Sequence, residues 1–321
     1  MGVRRCEERM GLHERTIPSD DEYLSWRERF CNWGRWGADD EKGTLNFITD
    51  DVRVSAGGLV RSGRTVCLAR PIDTFAGPAN PYPAHHMVGC HGSGGMLDYI
   101  GMFIHGFTQT HIDALCHLRT HDGRYWNDKP VGALGMPAEH SGTIDFWNDG
   151  IVTRGVLYDI PRLRGTEYVE PGRPVMGWEL YDAAAAHGIE PRAGDAVLIR
   201  SGHGRYYELH PDLRPGFGSP SGVHATAVEF LYETSASLLC WDWQDAPVDQ
   251  QGITNPMPTS VAMHVHHIVL PYMGMPIIDN AELEALAVAC AEQSQWEFQF
   301  VCAPLVIPLG TGSPVNPLAI L

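Results

Sequence analysis

Met102-Phe103-Ile104-His105-Gly106-Phe107-Thr108-Gln109-Thr110-His111-Ile112-Asp113-Ala114-Leu115-Cys116-His117 is the stretch on which the reading of this chain turns. Taken as a strand, residues 107–113 alternate faces with period two, so Phe107, Gln109, His111 and Asp113 share one face and Thr108, Thr110 and Ile112 the other. An imidazole and a carboxylate at neighbouring same-face positions can both reach about 2.0 to 2.2 Å from one point, the distance at which such ligands hold a divalent ion. His117 follows four residues after Asp113, near enough to overlook that point. A half-buried strand with a polar face toward solvent has the same pattern, so the rest of the chain must decide.

Thr110, His111, Asp113 and His117 resemble the signature of the cyclase family, which includes the bacterial kynurenine formamidases and isatin hydrolases and in which the pattern runs His-x-Gly-Thr-His-x-Asp-x-Pro-x-His. Three positions depart from it: Phe107 stands at the first His, Gln109 at the Gly and Leu115 at the Pro. With gaps, the resemblance extends from residue 64 to the end. It includes the segment His121-Asp122-Gly123-Arg124-Tyr125-Trp126-Asn127, the strand-like Gly194 to Arg200, and the closing Gly310-Thr311-Gly312-Ser313-Pro314. The Trp-, Gly- and acid-rich run Asn32 to Asn46 is similar to the amino-terminal extension of the family's longer branch. The fold implied is α/β: a swivelling β/β/α-like single domain with a mixed sheet over residues 64–321, and residues 1–63 as an extension packed on it.

The resemblance also implies a second source of metal ligands, a His followed twelve residues later by an acidic residue before an Asn-containing turn and a helix. His267 and Asp279-Asn280 have that spacing. On the residues alone, Asp279 reads equally well as the N-cap of a helix beginning at Ala281, and His267 as a hydrogen-bonded buried histidine. The implied set is His111, Asp113, His267 and Asp279, joined by His105 if a bulge near Gly106 turns it inward. Mixed N and O ligation suits zinc or manganese. His117 is then the proton carrier, work suited to a side chain titrating near neutrality. Candidates for substrate contact are Phe75 and Tyr82, on a loop where the family carries an aromatic, with Phe107, Tyr125, Trp126, His224, Trp241 and Trp243; any of them could equally be core.

Composition narrows the class. At 321 residues, with 44% hydrophobic and 19% charged, the chain can bury a large core. A formal charge of −16 and the lack of a basic stripe argue against nucleic acid. No apolar run resembles a secretory signal or a membrane span, so a soluble, cytoplasmic protein is expected, and relatives imply a homodimer or homotetramer. Eight scattered cysteines without a Cys-x-x-Cys pair suit free thiols. Sixteen histidines are about twice an ordinary share.

Along the chain, the pattern predicts helices from Ser19 or Asp20 to Phe30, from a Thr49 cap to about Gly57, over 177–187 up to Gly188, over 222–231 and over 281–293. Strands are expected at 64–70, 155–160, 194–200, 237–242, around 277–278, and at 298–303. The Gly-rich 89–95 reads as a flap, since it lacks the spacing of a phosphate loop. Residues 303–316 read as a fixed loop near the pocket. Together these readings predict a metal-dependent hydrolase opening an amide, cyclic amide or lactone of a small, aromatic substrate. A cyclase or dehydratase acting on a polyketide-like compound, and a non-catalytic small-molecule binder, are the alternatives.

Overall fold

The computed structural model describes residues 12, 14–78, 80–210, 212–213, 221–254 and 263–321; the expectations placed on residues 1–11, Cys6 among them, lie outside these. In chain order the strands are β1 (Thr65–Cys67), β2 (His85–Cys90), β3 (Met96–Gly101), β4 (His111–Asp113), β5 (Arg124–Tyr125), β6 (Lys129–Pro130) and β7 (Ile151–Asp159). They continue as β8 (Ala196–Arg200), β9 (Leu238–Trp241), β10 (Ile277–Asp279), β11 (Glu297–Cys302), β12 (Gly312–Pro314) and β13 (Leu318–Ile320). Nine form one mixed sheet in the order β1-β13-β11-β7-β8-β9-β10-β4-β12, while β2-β3 and β5-β6 are separate hairpins.

The middle of the sheet, β7-β8-β9-β10, is parallel, and antiparallel strands flank it on both sides. Parallel strands need cover on both faces, which is why β8 (Ala-Val-Leu-Ile-Arg) and β9 (Leu-Leu-Cys-Trp) are buried at every position. Alternation then splits their side chains between two cores. Val197, Ile199, Leu239, Trp241 and Ile277 enter one, and Ala196, Leu198, Leu238, Cys240 and Ile278 the other. The amino-terminal residues contribute to both: Tyr23, Trp26 and Phe30 to the first, Leu45 and Ile48 to the second.

The helices Asp20–Arg29 and Asp50–Gly57 start where Ser19 and Thr49 accept a hydrogen bond from an N–H of the first turn. Other boundaries move for local reasons. The helix predicted from 281 begins at Glu284, because Asp279 ends β10 and Asn280 turns the chain at φ 55°; Asp279 therefore caps nothing. The helix expected over 222–231 begins only at Ala227, since Val223 bridges Val175 and Asp245. The strand expected over 107–113 shortens to three residues. The Asn280 side-chain amide donates to the carbonyls of Gly106 (2.8 Å) and Gln109 (3.0 Å), so this backbone is held by a side chain instead of a ladder. Residues 303–316, read as a loop, contain β12, which pairs with β4. Among the described residues no helix is long and apolar enough to cross a membrane, and all seven described cysteines are free.

Candidate metal centre

β4 lies between β10 and β12, and its register sets His111 opposite Asp279 and Asp113 opposite Ile277. Period two sends His111, Asp113 and Asp279 to one side, while Ile112 and Ile278 pack into the core on the other. The cluster thus forms where the parallel strand β10 ends, the rim at which α/β sheets present ligand-binding groups. His111 Nε2 is 3.5 Å from Asp113 Oδ1 and 3.8 Å from Asp279 Oδ2.

Another histidine reaches the same point from the helical turn His266–Ile268. His266 Nε2 lies 3.3 Å from Asp279 Oδ2 and 3.7 Å from Asp113 Oδ2. Two groups able to hold an ion result, His105-His111-Asp113 and Asp113-His266-Asp279, sharing Asp113. His267, which the sequence reading placed in this set, is not in either group. Successive helical residues point about 100° apart, so when His266 faces the carboxylates its neighbour turns away and lines the cavity instead. Burial lowers the pKa of His267 to about 4.

Each inward atom is fixed by a bond on its far side. His111 Nδ1 pairs with the Gln109 carbonyl at 2.8 Å and His266 Nδ1 with Asp245 Oδ2, so both rings offer Nε2 to the centre. Asp245 also accepts from the Val265 N–H, clamping the turn that carries His266. The Trp241 indole donates to Asp279 Oδ1, leaving Oδ2 to the cluster. Asp113 Oδ1 takes His105 Nδ1 at 2.8 Å; its Oδ2 is buried with no hydrogen-bond partner. An orphaned carboxylate oxygen beside a second buried carboxylate is costly without positive charge, and this donor set suits a divalent cation.

The electrostatics agree. Burial alone would raise the pKa of Asp113, but His117, His105 and His111 outweigh it and hold the carboxyl below its ordinary range. Burial opposes a charged His266, yet Asp279 and Asp245 on either side lift its pKa well above the usual value. The field that favours a proton there is the field that draws a cation. His117 differs: burial, only partly offset by Asp113, lowers it to about 4, leaving a neutral imidazole at pH 7. Its Nε2 is 3.8 Å from Asp113 Oδ2, and its ring stacks on His105 at 3.7 Å between centroids. His105 Nε2 meets the Thr311 hydroxyl at 3.0 Å.

The cluster opens into a cavity of about 730 Å³ whose walls include Phe107, Tyr125, Gln244 and Met263, with Arg119 and His121 also lining it. Of the substrate candidates, Phe107 and Tyr125 line it, with Trp243 6.2 Å from Phe107. The others lie elsewhere. Phe75 and Tyr82 are 76% and 68% exposed on the surface, Tyr82 packing on Phe103. Trp126 is buried against Gly274 and donates to the Asp40 carbonyl. His224 is buried and bonded to the Gln251 carbonyl and Thr226. Trp241 is wholly buried and meets the cluster only through its hydrogen bond to Asp279. Sequence reasoning missed His266 and the orienting role of Asp245. The signals were there: a His-x-His-His run, and an acid just past the end of β9.

A mixed sheet whose parallel centre ends in a buried His/Asp cluster defines an α/β protein with a candidate metal centre. A family model described as a putative cyclase matches residues 48–246, more than half of the chain, and the chain belongs to the cyclase family. A solved structure described as a novel cyclase is 29% identical with a TM-score of 0.77, over 92% of this chain and 99% of its own. Isatin hydrolase A from Labrenzia aggregata, solved with benzyl benzoate, is 22% identical with a TM-score of 0.52, over 83% of this chain and 96% of that one. Isatin hydrolase A from Ralstonia solanacearum is 20% identical with a TM-score of 0.51, over 84% and 97%. The last two likenesses speak to the fold. No curated protein matches the chain.

Proposed function

We propose that this chain is a metal-dependent hydrolase opening an amide, cyclic amide or lactone bond of a small aromatic substrate. The observation that carries the reading is one buried cluster beside a cavity: His111 Nε2 lies 3.5 Å from Asp113 Oδ1 and 3.8 Å from Asp279 Oδ2, and His266 Nε2 lies 3.3 Å from Asp279 Oδ2 and 3.7 Å from the unpartnered Asp113 Oδ2. These four side chains would hold zinc or manganese. Such an ion, when bound, polarises a carbonyl oxygen and lowers the pKa of water from 15.7 toward about 7.

The chain's own residues supply the rest. Neutral His117 is placed to take a proton from the attacking water and return one to the departing nitrogen or oxygen. His105, stacked on it and held by Asp113 and Thr311, keeps the His117 ring in plane. Phe107 and Tyr125 give the lining aromatic surface, and the cavity volume lies within the 300 to 1,000 Å³ or so usual for small-molecule sites. The isatin hydrolases of the same fold make isatin a sensible first substrate beside aryl amides and lactones.

Elemental analysis of the purified protein should find a divalent metal, and Asp113→Ala should lose it. His117→Ala should keep the metal and the fold but lower kcat by about 100- to 10,000-fold. Full activity after chelation and dialysis would overturn the reading, favouring metal-free cyclase or dehydratase chemistry. No turnover on the panel by a metal-loaded protein would leave a binder.

A further inference from the structure

Arg119 lies between two anchored neighbours on the loop that follows His117. Thr120 is buried and donates its N–H to the Arg124 carbonyl at 2.7 Å, and Leu118 packs against the first core. Arg119 is left to the exposed side, where it lines the cavity. Among the described residues no hydrogen bond or ion pair occupies its guanidinium. Its charge reaches the cavity lining: burial raises the pKa of Tyr125, and Arg119 opposes the rise. His121, two residues on, lines the same cavity. Its Nε2 is 3.0 Å from Arg27 Nη1, and its Nδ1 is 3.2 Å from the Tyr272 hydroxyl. A guanidinium only donates, so Nε2 accepts and Nδ1 carries the hydrogen of the ring. Arg27 also donates from Nε to the Leu24 carbonyl at 2.8 Å and belongs to the helix Asp20–Arg29, so the amino-terminal extension sets a second permanent cation behind His121. One carboxylate stands by: Asp122 Oδ1, 3.9 Å from His121 Nδ1, on a side chain 61% exposed that accepts from the Thr120 hydroxyl.

We propose that Arg119, beside His121 and its supporting Arg27, is the carboxylate-binding end of the cavity, and that the preferred substrate is an aromatic amide or lactone carrying a carboxylate remote from the bond that opens. The inference rests on the hydrolase reading for that bond and adds to it the charge of the substrate. A chain of −16 repels anions at long range, so only cations placed at the site can hold one there. The planar guanidinium fork of an unpaired arginine fits a carboxylate through two parallel hydrogen bonds. Position follows from sign as well. Asp113 and Asp279 repel an anionic group from the cluster, and Arg119 attracts it, so the anion goes to the arginine while the neutral amide or lactone carbonyl is left to the cluster. Asp122 limits the charge accepted, because a doubly charged phosphate beside His121 would face it at a higher cost than a singly charged carboxylate.

The test pairs benzenesulfonate with phenyl methyl sulfone, two ligands of similar shape of which only the first is charged; a sulfonate is also a poor metal ligand. In calorimetric titrations of the full, metal-loaded chain, benzenesulfonate should bind about tenfold more tightly than the sulfone. Arg119→Gln, with metal content and near-UV circular dichroism unchanged, should erase the difference, and Arg119→Lys, which keeps the charge, should retain most of it. In turnover, 4-formamidobenzoate should be preferred over its methyl ester by a similar factor in kcat/KM, and Arg119→Gln should remove that preference through KM with kcat little altered. No preference for the sulfonate in wild type, or a preference that survives Arg119→Gln, overturns the proposal whatever the protein hydrolyses. Hydrolysis of both formamides at equal kcat/KM overturns it too and leaves the hydrolase reading in place. A sulfonate preference lost in Arg119→Gln, without turnover of either formamide, upholds the anion site and counts against the hydrolase reading alone.

Discussion

The Asp245–His266 contact separates two neighbouring histidines that composition treats alike. Asp245 Oδ2 holds His266 Nδ1, so the negative charge both orients the ring and makes Nε2 a better donor to an ion. Asp245→Asn keeps the size and an acceptor oxygen but removes the charge. It should weaken metal affinity by about 10- to 100-fold, measured by competition with a chromogenic chelator, with a near-UV spectrum like that of wild type. His267→Ala, a change at the cavity wall, should leave metal content as it was. If His267→Ala empties the site and Asp245→Asn does not, the assignment of His266 is wrong. Period two, a short-range rule, put His111 and Asp113 on one face with His117 four residues on, and the resemblance to the cyclase signature singled the three out. The sequence reading took His267, by its twelve-residue spacing to Asp279, and passed over His266, because which of the two faces the carboxylates depends on the phase of one helical turn, held by Asp245 some twenty residues away.

Strands that are short and held from both sides carry the centre. β4 has three residues, and its position depends on β10 and β12. Gly312, opposite Asp113 in β12, explains why a glycine sits there: a Cβ would lie 2.6 Å from the Ile112 carbonyl oxygen and 2.7 Å from His105 Cε1. Gly312→Ala must therefore push β12 from β4 or His105 from Asp113, at a cost of about 1–3 kcal/mol. Its thermal midpoint should drop by several degrees, and its metal affinity should fall too if His105 gives way. An unchanged midpoint would show that the close approach does not exist in solution. β8, β9 and the second half of β7 were legible because short apolar runs rich in Val, Ile and Leu between turn signals fit strands covered on both faces. β12 was not. Gly-Ser-Pro has little strand propensity, Pro314 is tolerable only because β12 is the sheet edge, and pairing with β4 alone makes it a strand.

Over the whole molecule, burial of titratable groups in the core below the sheet rim makes stability depend on pH in two opposed ways. His224 is fully buried and burial lowers its pKa to about 4, whereas in the unfolded chain it titrates near 6.5. Between those values the unfolded state binds the extra proton, so the contribution is complete above about 6.5 and is lost as pH falls to 4, up to about 2–3 kcal/mol. His203, lowered by burial and then by Arg70, acts in the same direction. Glu229 does the reverse. Burial raises it to about 7 despite Arg29 at 3.1 Å, so its contribution is complete below about 4.5 and is lost as pH rises through 7. Solvent reaching the partly open Arg29 reduces that contribution to about 1–2 kcal/mol. In the wild type the two slopes partly cancel between pH 4.5 and 6.5, and single substitutions separate them. In thermal melts from pH 7.5 to 4.5, Glu229→Gln should steepen the loss of stability in acid. His224→Gln, less stable at pH 7.5, should flatten or invert it. Parallel curves for all three proteins would mean that neither buried group titrates as its surroundings require.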